Sequence, residues 1–209
     1  MNRFTTLHGT AAPLPLDNVD TDMIIRVEPL FSGVPREQLG AHALAALRYR
    51  PDGSADPDFV LNRPEYADAT ILVTGSNFGC GSSREGAVWA LAGLGIRAVV
   101  APGFGEIFFN NCFENGLLPI RLAANIVRRL QRQLAEGLHG RRLGIDLERC
   151  ELTAPDGEVL SFAVPRLKRE ALLEGLDSIA VTQKRDARIA AYQDRERQRR
   201  PWLFLVSKP

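Results

Sequence analysis

The stretch from Ala69 to Arg121 alternates short apolar runs with helical segments, and it restricts the possible folds more than any other feature of the chain. Three runs have the length and composition of buried strands: 69–74, 97–101 and 117–121. Two segments between them have helical character: 83–94 and 106–115. Strands that alternate with helices pair in parallel through right-handed crossovers. The sequence therefore predicts an α/β fold built on a parallel sheet.

The parts of the chain on either side of this stretch predict further elements. Before it, we expect a helix over 36–47 and a long loop over 51–64. After it, the predicted elements are an amphipathic helix, three strands and two helices: 123–136, 142–147, 150–153, 159–163, 165–174 and 177–199. The apolar tail Trp202 to Val206 packs either on its own domain or on another chain.

A chain of 209 residues, 45% of them hydrophobic, buries enough surface to fold without disulfides or metals, so we expect one domain over 1–209. The three cysteines, Cys80, Cys112 and Cys150, lack the spacing of a zinc or iron–sulfur site, and we expect them to be reduced. No apolar run has membrane-spanning length, and residues 1–16 lack the pattern of a signal peptide. These features predict a cytoplasmic protein.

The charges of the whole chain nearly balance, with 26 basic and 25 acidic side chains, and this gives it no overall preference for nucleic acid or membranes. The segment 184–209 is different, because it combines a basic helix end with the apolar tail. From Lys184 to Arg200 there are seven basic and three acidic residues. This helix end is either a solvated face or a contact surface for nucleic acid.

The loop from Gly75 to Glu85 carries the strongest indication of chemistry. Its glycines allow a ligand to approach the backbone closely, and the helix that follows offers unpaired N–H groups to an anion. Ser82 or Ser83 can cap this helix, and Ser82 with Glu85 has the spacing of a capping box. Capping does not account for Arg84, whose guanidinium is suited to a carboxylate.

Other chemistries fit this loop less well. The glycine spacing matches neither a dinucleotide fingerprint nor a Walker-type phosphate loop, although phosphate in another form stays open. Cys80 as a nucleophile requires a histidine base, and the three histidines are far away in the sequence: His8, His42 and His139. A serine beside helix N–H groups and a guanidinium is instead suited to act as a base towards a weak carbon acid.

Several separate motifs in one order carry a resemblance to a known family. They are NVDTDMII (18–25), DFVLN (58–62), NFGCGSSRE (77–85), APGFGEIF (101–108), NN (110–111), LLP (117–119) and GLDSI (175–179). Together they resemble the small subunits of 3-isopropylmalate dehydratase, which are aconitase-like swivel domains. The resemblance covers most of the chain.

This resemblance implies a three-layer β/β/α swivelling domain of the aconitase C-terminal type, here with additional C-terminal helices. It also implies a subunit of a hydro-lyase that interconverts 2-isopropylmalate and 3-isopropylmalate in leucine biosynthesis. The implied partner is a large subunit that binds a [4Fe-4S] cluster, in a heterodimer or heterotetramer whose active site lies between the two chains. No metal or cofactor is expected in this chain itself.

The same resemblance implies roles for individual residues. Ser82 is the implied catalytic base, and Arg84 is the implied ligand of a substrate carboxylate. Four further residues are implied in the substrate pocket: Ser83, Gly81, Thr21 and Asp22. From the residues alone, Ser82 and Arg84 are also the two side chains best suited to these tasks.

Two positions depart from the family pattern. Gly86 stands where the family usually has histidine, and Arg26 stands where it commonly has proline. We expect the missing histidine to enlarge the site and Arg26 to bind a polar or negative part of the substrate, which changes specificity rather than abolishing activity. Two alternatives follow: a paralogous hydro-lyase subunit for a related 2-substituted malate, or a non-catalytic regulatory protein that binds nucleic acid.

Overall fold

The computed structural model of the chain describes residues 1–81 and 84–204. It consists of two compact units, Met1–Gly175 and Leu176–Pro209. The expectation of one domain over 1–209 stays a prediction. Among the residues described, no helix is both long enough and apolar enough to cross a membrane.

Seven strands of the first unit form one mixed sheet. They are β1 Thr6–Leu14, β2 Ile71–Thr74, β3 Ala98–Ala101, β4 Leu118–Arg121, β5 Arg142–Asp146, β6 Glu151–Thr153 and β7 Val159–Ser161. Their order in the sheet is β4-β3-β2-β1-β5-β6-β7. The pairs among β1 to β4 are parallel, and the pairs from β1 through β5 and β6 to β7 are antiparallel. β1 therefore joins a parallel half to an antiparallel half.

The helices complete the layers. The α-helices of the described residues are α1 Thr21–Ile24, α2 Val27–Phe31, α3 Ala45–Arg48, α4 Gly86–Gly93, α5 Glu106–Glu114, α6 Ala124–Glu136, α7 Arg166–Glu174, α8 Ser178–Gln183 and α9 Asp186–Arg199. Short 3₁₀ helices are formed by Arg36–His42, Val60–Asn62, Pro64–Tyr66 and Pro201–Phe204.

The predicted α/β fold class and all six predicted strands are confirmed, whereas the helices predicted over 36–47 and 177–199 are each divided in two. β1 was not predicted. The helix predicted over 36–47 is a 3₁₀ helix and then α3, because Leu44 adopts a left-handed φ of 53° that interrupts it. The helix predicted over 177–199 is α8 and α9, separated at Lys184 and Arg185.

The parallel half of the sheet is buried on both faces. This burial explains why β2, β3 and β4 correspond to short apolar runs in the sequence. Along β2, Leu72 points into one apolar cluster, whereas Ile71 and Val73 point into another. The first cluster contains α4, and the second contains α6. Each cluster covers one face of the sheet. Because β1, β2 and β3 are parallel neighbours, their carboxyl ends lie at a common edge.

The first cluster depends on a close approach of two backbones. Gly40, in the 3₁₀ helix 36–42, lies against Gly93 at the end of α4, and a Cβ at position 40 would overlap the Gly93 carbonyl group. The backbone of Gly40 is not in the left-handed region, so a side chain is excluded there by packing alone.

We therefore expect Gly40→Ala to lower the free energy of unfolding by about 3 kcal/mol, because the clash is with backbone and not with a movable side chain. Gly103→Ala is the matched control, since a Cβ there has no neighbour closer than 3.9 Å and the backbone is also not left-handed. Urea denaturation of both variants measures the difference. Equal stability of the two variants would contradict the packing of Gly40 on Gly93.

Candidate active site

Three loops meet at the edge where β1, β2 and β3 end. They are 15–20 after β1, 75–85 after β2 and 102–105 after β3. Because β1, β2 and β3 are adjacent and parallel, their carboxyl ends lie side by side, which is where open parallel sheets bind ligands. This edge contains the loop that the sequence singled out.

Backbone hydrogen bonds join the 75–85 loop to both neighbours. On one side, the Gly79 N–H donates to the Val19 carbonyl oxygen at 2.7 Å, and the Thr21 N–H donates to the Cys80 carbonyl oxygen at 2.9 Å. On the other side, the Phe78 N–H donates to the Gly103 carbonyl oxygen at 3.1 Å. The middle loop is therefore fixed on two sides, as a preorganised site requires.

The first residues of the 75–85 loop are held equally closely. The Gly75 N–H donates to the Leu16 carbonyl oxygen at 3.1 Å, and the Ser76 N–H donates to Asp17 Oδ1 at 2.5 Å. The side chains of Asn18 and Asn77 bond to each other at 2.9 Å, and both residues have a positive φ, 56° and 57°. Sequence reasoning missed these asparagines, although asparagine is the non-glycine residue that tolerates this backbone conformation most readily.

Arg84 forms an ion pair with Asp22, a residue of the first turn of α1. The Arg84 side chain is 25% exposed and the Asp22 side chain is 56% exposed, so the guanidinium lies at the surface of the site and remains accessible to a ligand. Asp20 fixes α1 itself, because its Oδ1 accepts a hydrogen bond from the Met23 N–H at 2.7 Å. The two predicted residues Arg84 and Asp22 are thus brought together from different loops.

The other predicted site residues have different positions. Gly81 is exposed with a φ of 87°, and the hydroxyl oxygen of the buried Thr21 lies 3.7 Å from where a Cβ of residue 81 would be. Arg26 lines a cavity of about 370 Å³ next to this group, and it shares that cavity with Asp22 and His42. The predicted base and its neighbour, Ser82 and Ser83, lie outside the described residues.

The start of α4 differs from the prediction. The helix begins at Gly86 instead of residue 83, and Glu85 is its N-cap residue, without a capping side-chain hydrogen bond. Glu85 Oε1 instead accepts a hydrogen bond from Asn115 Nδ2 at 2.8 Å, and Asn115 Oδ1 accepts one from Trp89 Nε1 at 3.0 Å. The glutamate therefore connects the loop to the end of α5, a role that the capping-box spacing did not indicate.

Gly86 does not leave an open space in the site. A Cβ at this position would be 2.6 Å and 2.7 Å from the two Cδ atoms of Leu30, which belongs to α2. The expected enlargement of the site by the missing histidine is therefore wrong, because Leu30 fills the volume beside Gly86. Gly86 and Leu30 therefore pack directly against each other.

The cysteines and histidines do not form a second candidate site. Across residues 1–81 and 84–204, no group of three or more His, Cys, Asp or Glu side chains is arranged to bind a metal ion. Cys112 is fully buried, and this burial raises the pKa of its thiol well above the ordinary value. In the same part of the chain, no hydrogen bond joins Cys80 to a histidine, so nothing supports a cysteine nucleophile activated by a histidine base.

The basic end of the chain forms α9 in the second unit. Arg197 pairs with Asp194, and Arg200 pairs with Glu196, whereas Arg188 lines a shallow cavity with Tyr192. Of the apolar tail, Trp202 to Phe204 form an exposed 3₁₀ turn, and residues 205–206 lie outside the described residues. Contact of this segment with nucleic acid, or of the tail with another chain, stays a prediction.

Comparison with known proteins agrees with this geometry. The family of aconitase C-terminal domains matches residues 1–125. The small subunit of 3-isopropylmalate dehydratase from Paramagnetospirillum magneticum is 49% identical over 97% of this chain and 100% of its own length. The corresponding subunit from Rhodospirillum centenum is 48% identical over 98% and 100%.

The chain belongs to the family of 3-isopropylmalate dehydratase small subunits. A crystal structure of 3-isopropylmalate dehydratase from Methanocaldococcus jannaschii also matches it, with a TM-score of 0.62, 27% identity, and coverage of 90% of this chain and 99% of that one. The predicted fold, a β/β/α domain of the aconitase C-terminal type, is confirmed by these matches.

The Gly86 and Leu30 pair generates a prediction. Gly86→His alone should lower stability by about 1 to 3 kcal/mol, because the new side chain and Leu30 require the same volume. Adding Leu30→Ala should recover most of that loss, although Leu30→Ala alone should be destabilising, since it removes packed apolar atoms. A thermodynamic cycle of the four proteins measures the coupling. Strictly additive effects would contradict direct packing between these residues.

Proposed function

We propose that this chain is the small subunit of a hydro-lyase that interconverts 2-isopropylmalate and 3-isopropylmalate by dehydration and rehydration in leucine biosynthesis. The observation that carries the proposal is the Arg84–Asp22 ion pair, formed where three hydrogen-bonded loops meet at the carboxyl edge of the parallel strands. Family membership over nearly the whole chain supports the same function.

Arg84 is the substrate-binding cation in this proposal. A guanidinium offers two parallel N–H donors to a carboxylate, and isopropylmalate carries two carboxylates. Asp22 acts as a positioning residue, since its ion pair holds the guanidinium at the rim before substrate arrives. The exposed backbone at Gly81, together with Ser83 and the Thr21 side chain, completes the proposed carboxylate pocket.

Ser82 is the proposed base. In the dehydration direction its deprotonated oxygen takes the proton from the carbon next to a carboxylate, while the hydroxyl group on the neighbouring carbon leaves as hydroxide and becomes water with a proton that the proposed partner subunit would supply. In the hydration direction Ser82 returns that proton. A nearby guanidinium stabilises the negative charge that the serine oxygen carries during transfer.

A large subunit is the proposed partner, and the [4Fe-4S] cluster is proposed to belong to it. The described residues of this chain supply no ligand set for such a cluster. Exposed apolar side chains lie around the same edge as the site: Phe31 at the end of α2, which is 83% exposed, and Ile107 at the start of α5. Such apolar surface beside an incomplete site supports docking of another chain there.

A related substrate is the second candidate, and Arg26 favours it. Its side chain lies with Asp22 on the wall of the 370 Å³ cavity, so a substituent that extends from a substrate at Arg84 comes close to this cation. An arginine at that place favours a polar or negative substituent over an isopropyl group. A paralogous subunit for another 2-substituted malate therefore remains the alternative to isopropylmalate.

The catalytic roles predict distinct kinetic effects in the assembled enzyme. Ser82→Ala should lower kcat by about 10² to 10⁴ with little change in KM, as expected for loss of a general base. Arg84→Lys should raise KM about tenfold or more, because lysine keeps the charge and loses the two-pronged geometry. Steady-state kinetics with 3-isopropylmalate measure both effects.

Arg149→Gln serves as the control for this experiment, because Arg149 pairs with Glu151 beside the β5–β6 turn and takes no part in the site. The purified chain without its large subunit should have no activity. Near-normal kinetics for Ser82→Ala would contradict its assignment as the base, and turnover by the single chain would contradict the proposal of a shared active site.

The role of Arg26 is tested by exchanging it for proline. Its φ of −68° suits a proline, and the residue before it is extended, so the change should be tolerated. Arg26→Pro should raise the ratio of kcat/KM for 3-isopropylmalate to that for isocitrate, in which a carboxymethyl group replaces the isopropyl group, about tenfold or more. An unchanged ratio would show that Arg26 does not select the substrate.

A further inference from the structure

A further cavity is lined by none of the described candidate site residues. It has a volume of about 640 Å³ and is formed by three parts of the first unit: the end of β1 with residues 15 and 16, the segment 58–66, and one face of α6. A volume of this size is typical of sites for small organic molecules. None of the roles proposed above for the catalytic reaction uses it.

The walls of this β1–α6 cavity are mostly apolar. Pro15, Leu16, Phe59 and Val60 provide hydrocarbon surface on two sides. The Tyr66 hydroxyl also lines the cavity, and it donates a hydrogen bond to the Leu134 carbonyl oxygen at 3.0 Å. This bond ties the 58–66 segment to α6, so the cavity has fixed walls and is not a gap between loose loops.

The rim of the cavity is basic. Arg63, Arg128 and Arg132 line it together with one acidic residue, Asp58. Arg63 donates to the main-chain carbonyl oxygen of Asp58 at 2.8 Å. Within the described ranges, neither Arg128 nor Arg132 forms an ion pair or a side-chain hydrogen bond. These two arginines are one turn apart on α6, and so two guanidinium groups are available to one ligand.

We propose that the β1–α6 cavity binds an organic monoanion with an apolar body, of the class of aliphatic carboxylates. The body fits the hydrocarbon walls, and the carboxylate accepts hydrogen bonds from Arg128 and Arg132. A neutral apolar molecule lacks the charge that the two arginines bind, and a fully polar anion lacks the apolar body that fits the hydrocarbon walls. The combination of both kinds of surface therefore selects this class of ligand.

The cavity adjoins the first residues of the 75–85 loop. Leu16 forms part of its wall, and the carbonyl oxygen of the same residue accepts the hydrogen bond from the Gly75 N–H. A ligand against Leu16 changes the environment of that amide. The Gly75 amide resonance is consequently a local probe of occupancy that does not depend on catalytic activity.

Binding is tested on the full-length chain, labelled with ¹⁵N and titrated with octanoate. We expect saturable shifts of the amide resonances of Leu16, Val60 and Gly75. 1-Octanol has the same hydrocarbon chain without the charge and should bind at least about tenfold more weakly. Equal affinity for the two probes, or octanoate shifts confined to other parts of the chain, would overturn the proposal.

A double variant tests the arginines directly. Arg128→Gln with Arg132→Gln should weaken octanoate binding at least about tenfold and leave 1-octanol binding unchanged. Arg149→Gln with Arg166→Gln removes the same charge from residues that do not line the cavity, and it should leave both affinities unchanged. Equal octanoate affinity in the two double variants would overturn the assignment of the anion site.

Addition of the large subunit provides a last test. Octanoate should bind the assembled enzyme as well as it binds the single chain. Loss of binding on assembly would show that the partner covers this surface, and it would overturn the assignment as a small-molecule site. Because these measurements do not use catalytic activity, their outcome is independent of the proposed reaction.

Discussion

The hydrogen bonding of β1 on both of its edges is the constraint on which the rest of the structure depends. On one edge its last four residues pair in parallel with β2, and on the other edge Thr6 to Thr10 pair with β5 in antiparallel fashion. One strand thus unites the parallel and the antiparallel half of the sheet. It also places the 15–20 loop at the edge where β2 and β3 end. The pairing of β1 with β2 and β5 therefore contributes both to the core and to the candidate site.

β2, β3 and β4 were predictable from the sequence because burial on both faces makes them almost wholly apolar. β1 was not, because Gly9 and Pro13 interrupt its apolar pattern. The structure explains the glycine: a Cβ at position 9 would overlap the Thr70 hydroxyl group. Pro13 has no N–H to donate, and the strand tolerates it near its end. Gly9 is required by a neighbour that is distant in the sequence, so no local pattern reveals it.

The site also contains some residues that a local motif reveals and a contact that only the fold reveals. Arg84, Asp22, Thr21 and Gly81 could be named from motifs, and the structure brings them to one edge of the sheet. The packing of Leu30 on Gly86 could not be predicted, since it joins two segments whose relation is fixed only by the fold. An absent side chain does not imply an open space, because in a close-packed protein a neighbouring side chain occupies the volume.

The exposure of the Arg84–Asp22 pair decides how it can serve a substrate. An ion pair between partly exposed side chains contributes only about 0 to 1 kcal/mol, so an incoming carboxylate can take over the guanidinium at little cost. A deeply buried pair would instead resist exchange, because separating its charges leaves one of them unpaired in a medium of low dielectric constant. In the proposed function, Asp22 therefore holds Arg84 in place while the site is empty and gives way when substrate binds. Arg26 shares a cavity with the same aspartate, and in the proposed function its charge acts on the group that extends from the bound carboxylate. In the proposed function, Arg84 therefore provides affinity for the carboxylate and Arg26 the choice of the substituent, and Asp22 contacts the first and shares a cavity with the second.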